Sequence, residues 1–348
     1  MAKSISLKKL RRRRDLFCQM DHPKDLEAIC QIPLYRLQML AIQPKYDIFS
    51  IPKRDGSKRW IENPLEPLKS TQKALNAFLQ AVYFFHKTTA AFGFVSTCKK
   101  DPDLRTILTN AQRHLGCTHL LNIDLEDFFH HVKAPMIAKV LGQAPFSFPD
   151  SLVQLLTDLC THQGRLPMGA STSPVLSNFA TYDLDHALLA YCDWAGITYT
   201  RFADDMSFSA QREITRSEAE RLIGIIEEHA FTLNQEKVKW YVPQDVKYIT
   251  GLVVTDQIEL PADFFPKLGL HISKLQHNLE LQYQFRRKPT SWLRKYQQKV
   301  EGLLAFASQI LGEDHPELTA IETQFSQAIA RNDEPLSGSF SWVDFPYL

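Results

Sequence analysis

The sequence predicts an α+β fold: an antiparallel sheet carrying helices, followed by an all-helical region. Three observations predict it. Two short runs rich in aromatic and β-favouring residues flank Asp204-Asp205 in Tyr199-Thr-Arg-Phe-Ala-Asp-Asp-Met-Ser-Phe-Ser209, the pattern of a tight hairpin with acids at its tip. The apolar run Leu120-Leu-Asn-Ile123 reads as a strand ending at Asp124. Beyond residue 263, apolar Leu, Ile, Tyr and Phe recur with helical spacing over 268–285 and 291–311.

Residues 1–44 read as a basic helical extension punctuated by Pro23 and Pro33. Lys8-Lys-Leu-Arg-Arg-Arg-Arg14 holds six positive charges in seven residues, a phosphate-binding composition without sequence preference. A second basic stretch includes Arg286, Arg287, Lys288, Arg294, Lys295 and Lys299. A lone charge run is usually a solvated face. Beside a nucleotide-handling centre these two point to RNA.

Residues 45–118 open with Ile48-Phe-Ser-Ile-Pro-Lys-Arg-Asp-Gly-Ser-Lys-Arg-Trp-Ile61, a hairpin turning at Asp55-Gly56. Lys53, Arg54, Lys58 and Arg59 line its arms, suited to phosphate contacts or simply to an exposed edge. A helix follows over 68–86. Asn110 and His114 stand four apart, on one face of a helical segment.

Residues 119–262 carry every candidate catalytic acid. Adjacent carboxylates repel, so a site that ionises both brings a cation. Asp124, Asp204 and Asp205 at strand ends make a cage for two Mg²⁺ ions, which serve phosphoryl or nucleotidyl transfer. Taken singly, Asp-Asp is more often turn chemistry, and an Asp after a strand more often a helix cap. Between the acids lies Leu166-Pro-Met-Gly-Ala-Ser-Thr-Ser-Pro-Val-Leu-Ser-Asn-Phe179, a small-residue loop leading into a helix near Pro174. Gly169 there would admit a nucleotide or template strand close to the backbone. Lys237 in Leu233-Asn-Gln-Glu-Lys237 offers a cation to a leaving phosphate. Lys247-Tyr-Ile-Thr-Gly-Leu-Val-Val254 is a β-rich run broken by Gly251.

Pro261 and Pro266 flank a junction to the helical region 263–336. The aromatic tail 337–348 either packs back on the body or docks a partner.

Composition bounds the class. Hydrophobic residues make up 44% of 348 and charged residues 23%, ordinary for a globular protein with room for several subdomains. No apolar run reaches the ~18 residues of a membrane span. The basic N-terminus has no apolar stretch or cleavage site after it, so no signal peptide is expected. Six scattered cysteines form no Cys-x-x-Cys pair, which argues against structural zinc and for reduced thiols in the cytoplasm. A net charge of +1 does not by itself predict nucleic-acid binding.

The order of these pieces resembles reverse transcriptases over about residues 45–251: basic hairpin, Asp124-Leu-Glu-Asp-Phe-Phe129, Gly-Ala-Ser-Thr-Ser-Pro, Ala-Asp-Asp, Asn-Gln-Glu-Lys and a glycine-bearing strand. Asn110-Ala-Gln-Arg-His114 is similar to the Asn-Ala-x-x-His element of the retron branch, and Ile249-Thr-Gly251 to its Val-Thr-Gly element. The resemblance implies a right-hand polymerase: fingers (45–118), palm (119–262) and helical thumb (263–336). It implies metal-binding catalytic roles for Asp124, Asp204 and Asp205. Lys53, Arg59, Gly169 and Lys237 would serve the nucleotide, and Phe129 would exclude ribonucleotides at the sugar 2′ position. Asn110, His114, Ile249, Thr250, Gly251, Arg286 and Arg287 would bind RNA.

The implied activity is RNA-directed DNA synthesis from dNTPs. It would start at a guanosine 2′-hydroxyl of a cognate structured non-coding RNA and yield a branched RNA–DNA hybrid (msDNA). The implied setting is anti-phage defence with a separately encoded effector or toxin, since no segment after the thumb is long enough for one. Two positions depart from the family pattern: Met168 for Gln, and Phe202 for Tyr. Two other readings stand beside this one, another bacterial reverse transcriptase class and a non-catalytic RNA-binding scaffold of the same fold.

Overall fold

The structure is a computed structural model that describes residues 5–53, 56–284 and 290–330. The chain divides into two units. The first is Met1–Thr250 with Val254–Gln257, and the second is Gly251–Val253 with the residues from Ile258 onward.

The first unit begins with α1 (Leu7–Cys18), α2 (Leu26–Cys30) and α3 (Leu34–Ile42). Ser6 caps α1, its hydroxyl accepting from Lys9 N. Leu10 and Phe17 are its buried side chains. The Arg13 and Arg14 guanidiniums lie over the rings of Phe78 and Phe85, at 5.7 and 4.5 Å. Part of the N-terminal basic cluster is therefore engaged in packing.

The basic hairpin follows as β1 (Tyr46–Pro52) and β2 (Lys58–Pro64), antiparallel from Tyr46↔Pro64 to Pro52↔Lys58. Arg54 and Asp55 lie outside the described residues. α4 (Leu68–His86) has no internal Gly or Pro and buries Leu68, Leu75, Leu79, Val82 and Tyr83 along one stripe. α5 (Ile107–Gln112) is closed by a Thr106–Thr109 capping box.

Then come β3 (His119–Asp124), α6 (Phe128–His131), α7 (Ala134–Gly142), α8 (Asp150–Cys160), α9 (Ser173–Ala180) and α10 (Tyr182–Ala195). β4 (Thr198–Phe202), β5 (Asp205–Ala210), α11 (Arg216–Glu228), β6 (Lys239–Tyr241) and β7 (Lys247–Ile249) complete the series. Pro174 sits in the first turn of α9, where its missing N–H costs nothing.

One four-stranded antiparallel sheet, ordered β4-β5-β3-β6, organises the site. Its pleat sends Leu121, Ile123, Tyr199, Met206 and Phe208 into the main core, with side chains from α4, α8, α9, α10 and α11.

The second unit contains β9 (Ile258–Glu259), which follows the boundary strand β8 (Leu252–Val254), and the helices α12 (Phe264–Gln284), α13 (Ser291–Leu311) and α14 (Pro316–Ile329). Its core is separate: Leu268, Ile272, Leu275 and Leu279 meet Leu293, Val300 and Leu304, with Leu318 and Phe325. The spacing of these positions is the helical periodicity read from the sequence. No helix among the described residues is long and apolar enough to cross a membrane.

Candidate active site

The three acids meet because two strand ends are paired. β3 and β5 are in register with Asp124 opposite Asp205. β4 and β5 are joined by a two-residue loop, Ala203-Asp204, since Phe202 pairs with Asp205. Ala203 has φ +61° at the first loop position, where glycine is the ordinary choice. The left-handed region costs an alanine about 1 kcal/mol, so surrounding contacts must hold it. Leu125 N donates to Asp204 O (3.1 Å) and Asn234 N to Asp124 O (2.9 Å), tying both acid-bearing segments to their neighbours.

The electrostatics follow from crowding. Burial, then the charges of Asp204 and Asp124, and then a hydrogen bond with Asp124, push the Asp205 carboxyl up to about 7. Much of the Asp205 surface nevertheless reaches solvent. The neighbouring charges are therefore the surer cause. Asp204 is raised as well, first by burial and then by Asp124. Lys237, in the 3₁₀ turn Gln235–Lys237, places Nζ 2.8 Å from Asp124 Oδ1. That hydrogen bond raises the lysine's pKa.

Among the described residues, no group of three or more His, Cys, Asp or Glu is arranged to hold a metal ion. The donor chemistry still fits a hard divalent cation: three carboxylates and no sulfur or imidazole. Their mutual repulsion raises the Asp205 pKa and is offset in part by the Lys237 ammonium on Asp124.

Beside the acids lies a cavity of about 530 Å³. Asp124, Asp204 and Lys237 form part of its lining, Lys53, Lys58 and Arg59 of the basic hairpin another part, and Phe94, Phe129 and Met168 a third. Phe129 is half-buried, its ring 5.9 Å from that of Phe94. Acids, cations and space for a nucleotide thus occupy one place.

Strand β2 is docked there by Glu62. Arg165 grips the Glu62 carboxylate with two hydrogen bonds (2.8 and 3.0 Å), and Met168 N donates to it at 3.2 Å. Burial alone would raise the Glu62 pKa, but Arg165 outweighs it and holds it below the ordinary value. Glu62 N donates to Met168 O at 2.7 Å. Position 168 is thus anchored through its backbone, which methionine supplies as well as glutamine.

Not every predicted contact residue is free to meet a ligand. Gly169 has φ +134°, and a Cβ there would lie 2.9 Å from Glu62 O. One close approach it permits is that of the chain's own strand β2, and the residue is otherwise exposed. Asn110 and His114 are each only 1% exposed, which removes both side chains from RNA contact. His114 instead bridges the acid hairpin, with Nδ1 2.7 Å from Ser209 Oγ and Nε2 2.7 Å from Thr200 Oγ1. Burial, helped by Arg113, pushes its pKa down to about 3, so the ring is neutral. Ile249 is fully buried. Thr250, half-buried with φ +48°, donates from Oγ1 to Ile107 O (3.3 Å), which ties it to the first residue of α5, the helix that carries Asn110. Gly251 is exposed with φ +84°. Arg286 and Arg287 lie outside the described residues.

Sequence reading missed Arg201 and Asp185. Both are 0% exposed and joined by a forked ion pair directly behind the acid hairpin. An arginine inside an alternating strand was the available signal.

Acidic strand ends beside a cation-lined cavity are the equipment of a nucleotidyltransferase. The family profile described as reverse transcriptase (RNA-dependent DNA polymerase) matches residues 51–254, more than half of the chain. The chain is 29% identical over 245 residues to the retron Ec86 reverse transcriptase of Escherichia coli, covering 68% of this chain and 72% of that one. It is 30% identical over 243 residues to the retron Mx65 reverse transcriptase of Myxococcus xanthus, covering 64% of this chain and 54% of that relative's length. Among solved structures it is similar to telomerase from Candida albicans (TM-score 0.46, 11% identity, 83% of this chain and 64% of that one). The chain belongs to the reverse transcriptase family, and the relatives named here that it is similar to are retron reverse transcriptases.

Proposed function

We propose that this chain copies part of a cognate structured non-coding RNA into a branched RNA–DNA hybrid, with Asp124, Asp204 and Asp205 holding two Mg²⁺ ions. The observation that carries the reading is the register Asp124↔Asp205, with Asp204 in the adjoining turn and Lys237 on Asp124, beside a cation-lined cavity. When bound, the ions supply activation of the attacking hydroxyl and stabilisation of the leaving pyrophosphate.

The protein's own groups do the rest. Lys53 and Arg59 grip the triphosphate from the hairpin. The Phe129 ring stands against the sugar 2′ position and excludes ribonucleotides by sterics. Lys237, held on Asp124, puts its ammonium beside the departing pyrophosphate and stabilises its charge. The exposed Gly251 turn, with Arg286 and Arg287, contacts RNA through shape and phosphates.

In this reading residues 45–118 are fingers, 119–262 palm and 263–336 thumb, flanked by the basic extension 1–44 and the tail 337–348. The enzyme works in the cytoplasm, in anti-phage defence, beside a separately encoded effector or toxin.

Analysis of the nucleic acid that co-purifies with the protein tests this. The expected species is DNA joined through a 2′,5′ branch to a single RNA, degraded in part by DNase and in part by RNase. Recovery of unbranched, heterogeneous RNA alone would contradict it.

A further inference from the structure

Directly behind the acid pair, Arg201 uses its guanidinium as a four-point brace. Nε and Nη2 donate to the Asp185 carboxylate at 2.8 and 2.7 Å. Nη1 donates to Asn178 Oδ1 (3.1 Å) and to the carbonyl of Ala203 (3.0 Å). Asp185 is itself fixed by Thr88 Oγ1 (3.0 Å) and Tyr199 Oη (2.9 Å). Asn178 Nδ2 donates to Gly93 O at 2.9 Å. Gly93 presses on the turn from the other side: a Cβ there would stand 2.5 Å from Ala203 N.

The site described above does not use any of these groups chemically. We propose that Arg201, oriented by Asp185, is a positioning residue for catalysis: through the Ala203 carbonyl it holds the left-handed turn that aims Asp204 and Asp205. Ala203 occupies a conformation that alanine disfavours. Without a donor on its carbonyl the turn relaxes, and the first acid after it moves. A buried ion pair contributes little net stability, so holding one geometry accounts for its presence better than fold strength does. Lysine cannot replace it, because a compact ammonium cannot fork onto Asp185 and reach Ala203 O together.

The inference rests on the polymerase reading, and its test separates the two. Arg201→Lys keeps the charge and loses the fork. Asn178→Ala removes the second acceptor on Nη1 and leaves the ion pair intact. Primer extension on an RNA template gives kcat and the dNTP KM. Hydrogen–deuterium exchange gives the amide protection of residues 199–210 and, as reference, of α8. Circular dichroism establishes folding.

The expected result for Arg201→Lys is a folded protein with kcat down by about 10- to 100-fold and KM within about two-fold. Its 199–210 segment exchanges faster while α8 is unchanged. Asn178→Ala shifts both readouts the same way by about 5-fold, and decides alone should Arg201→Lys not fold. Folded variants with wild-type kcat and wild-type protection overturn the proposal. A wild-type protein that extends no primer refutes the polymerase reading instead, and the exchange readout still decides the role of Arg201 at the turn.

Discussion

Lys237 Nζ stands 2.8 Å from Asp124 Oδ1, the closest positive charge recorded on the acid cluster among the described residues. The lysine side chain is 53% exposed and the aspartate 12%, so the pair adds under about 1 kcal/mol of stability. Its importance is electrostatic: its positive charge opposes the carboxylate repulsion that raises the Asp205 pKa.

Lys237→Met should therefore leave the fold intact and make the site hungrier for a cation. Mg²⁺ should raise the thermal midpoint more in the variant than in the wild type, as read by scanning fluorimetry. DNA synthesis should fall by about 10²-fold, since a cation aimed at the leaving group is lost. An identical Mg²⁺ response in both proteins would contradict this account of the pair.

Phe129→Ala opens the cavity wall where the proposed function seats the sugar. Discrimination between dNTP and rNTP, measured as the ratio of kcat/KM, should drop by about 10-fold or more through relief of a clash worth over 1.4 kcal/mol. The ring is half-buried, so stability should fall by no more than about 3 kcal/mol. Unchanged discrimination would remove Phe129 from the sugar contact.

The neutral, buried His114 predicts acid lability of a definite sign. Its folded pKa of about 3 lies below the ordinary 6.5, so between those values the unfolded chain binds a proton that the native protein does not. Its stabilising contribution is complete above pH 6.5 and is lost as pH falls toward 3, by up to about 1.4 kcal/mol per pH unit. Urea unfolding at pH 7, 6 and 5 should show a shallower decline for His114→Gln than for the wild type. Parallel curves would contradict the assignment.

Gly169→Ala puts a methyl group 2.9 Å from Glu62 O at a φ of +134°. The strain should destabilise the protein by about 1–3 kcal/mol. It should also raise the dNTP KM, because β2 carries Arg59 into the cavity. Thermal unfolding and steady-state kinetics check both. A substitution neutral in both would mean that β2 does not depend on this docking point.

The sequence made legible what is local or ordered along the chain. The Asp-Asp hairpin, the strand ending at Asp124, the helix 68–86 and the helical repeat beyond 263 follow from periodicity, turn chemistry and motif order. What depends on distant partners was hidden. Asn110 and His114 read as one helix face offered to RNA, because Thr200 and Ser209, which satisfy His114, lie some ninety residues later. The part Gly169 plays in seating β2 did not show, because nothing near it in sequence names Glu62 as its neighbour. Arg201 passed as a strand residue, because its counter-ion Asp185 belongs to another element.

Primer extension on an RNA template with dNTPs and Mg²⁺, by the wild type and by Asp124→Asn, Asp204→Asn and Asp205→Asn, most directly tests the convergence of the three acids. The wild type should synthesise DNA, and each variant should lose on the order of 10³-fold or more in rate while binding RNA as before. Full activity in any one of the three would contradict the catalytic role given to that carboxylate and, with it, the reading of the site.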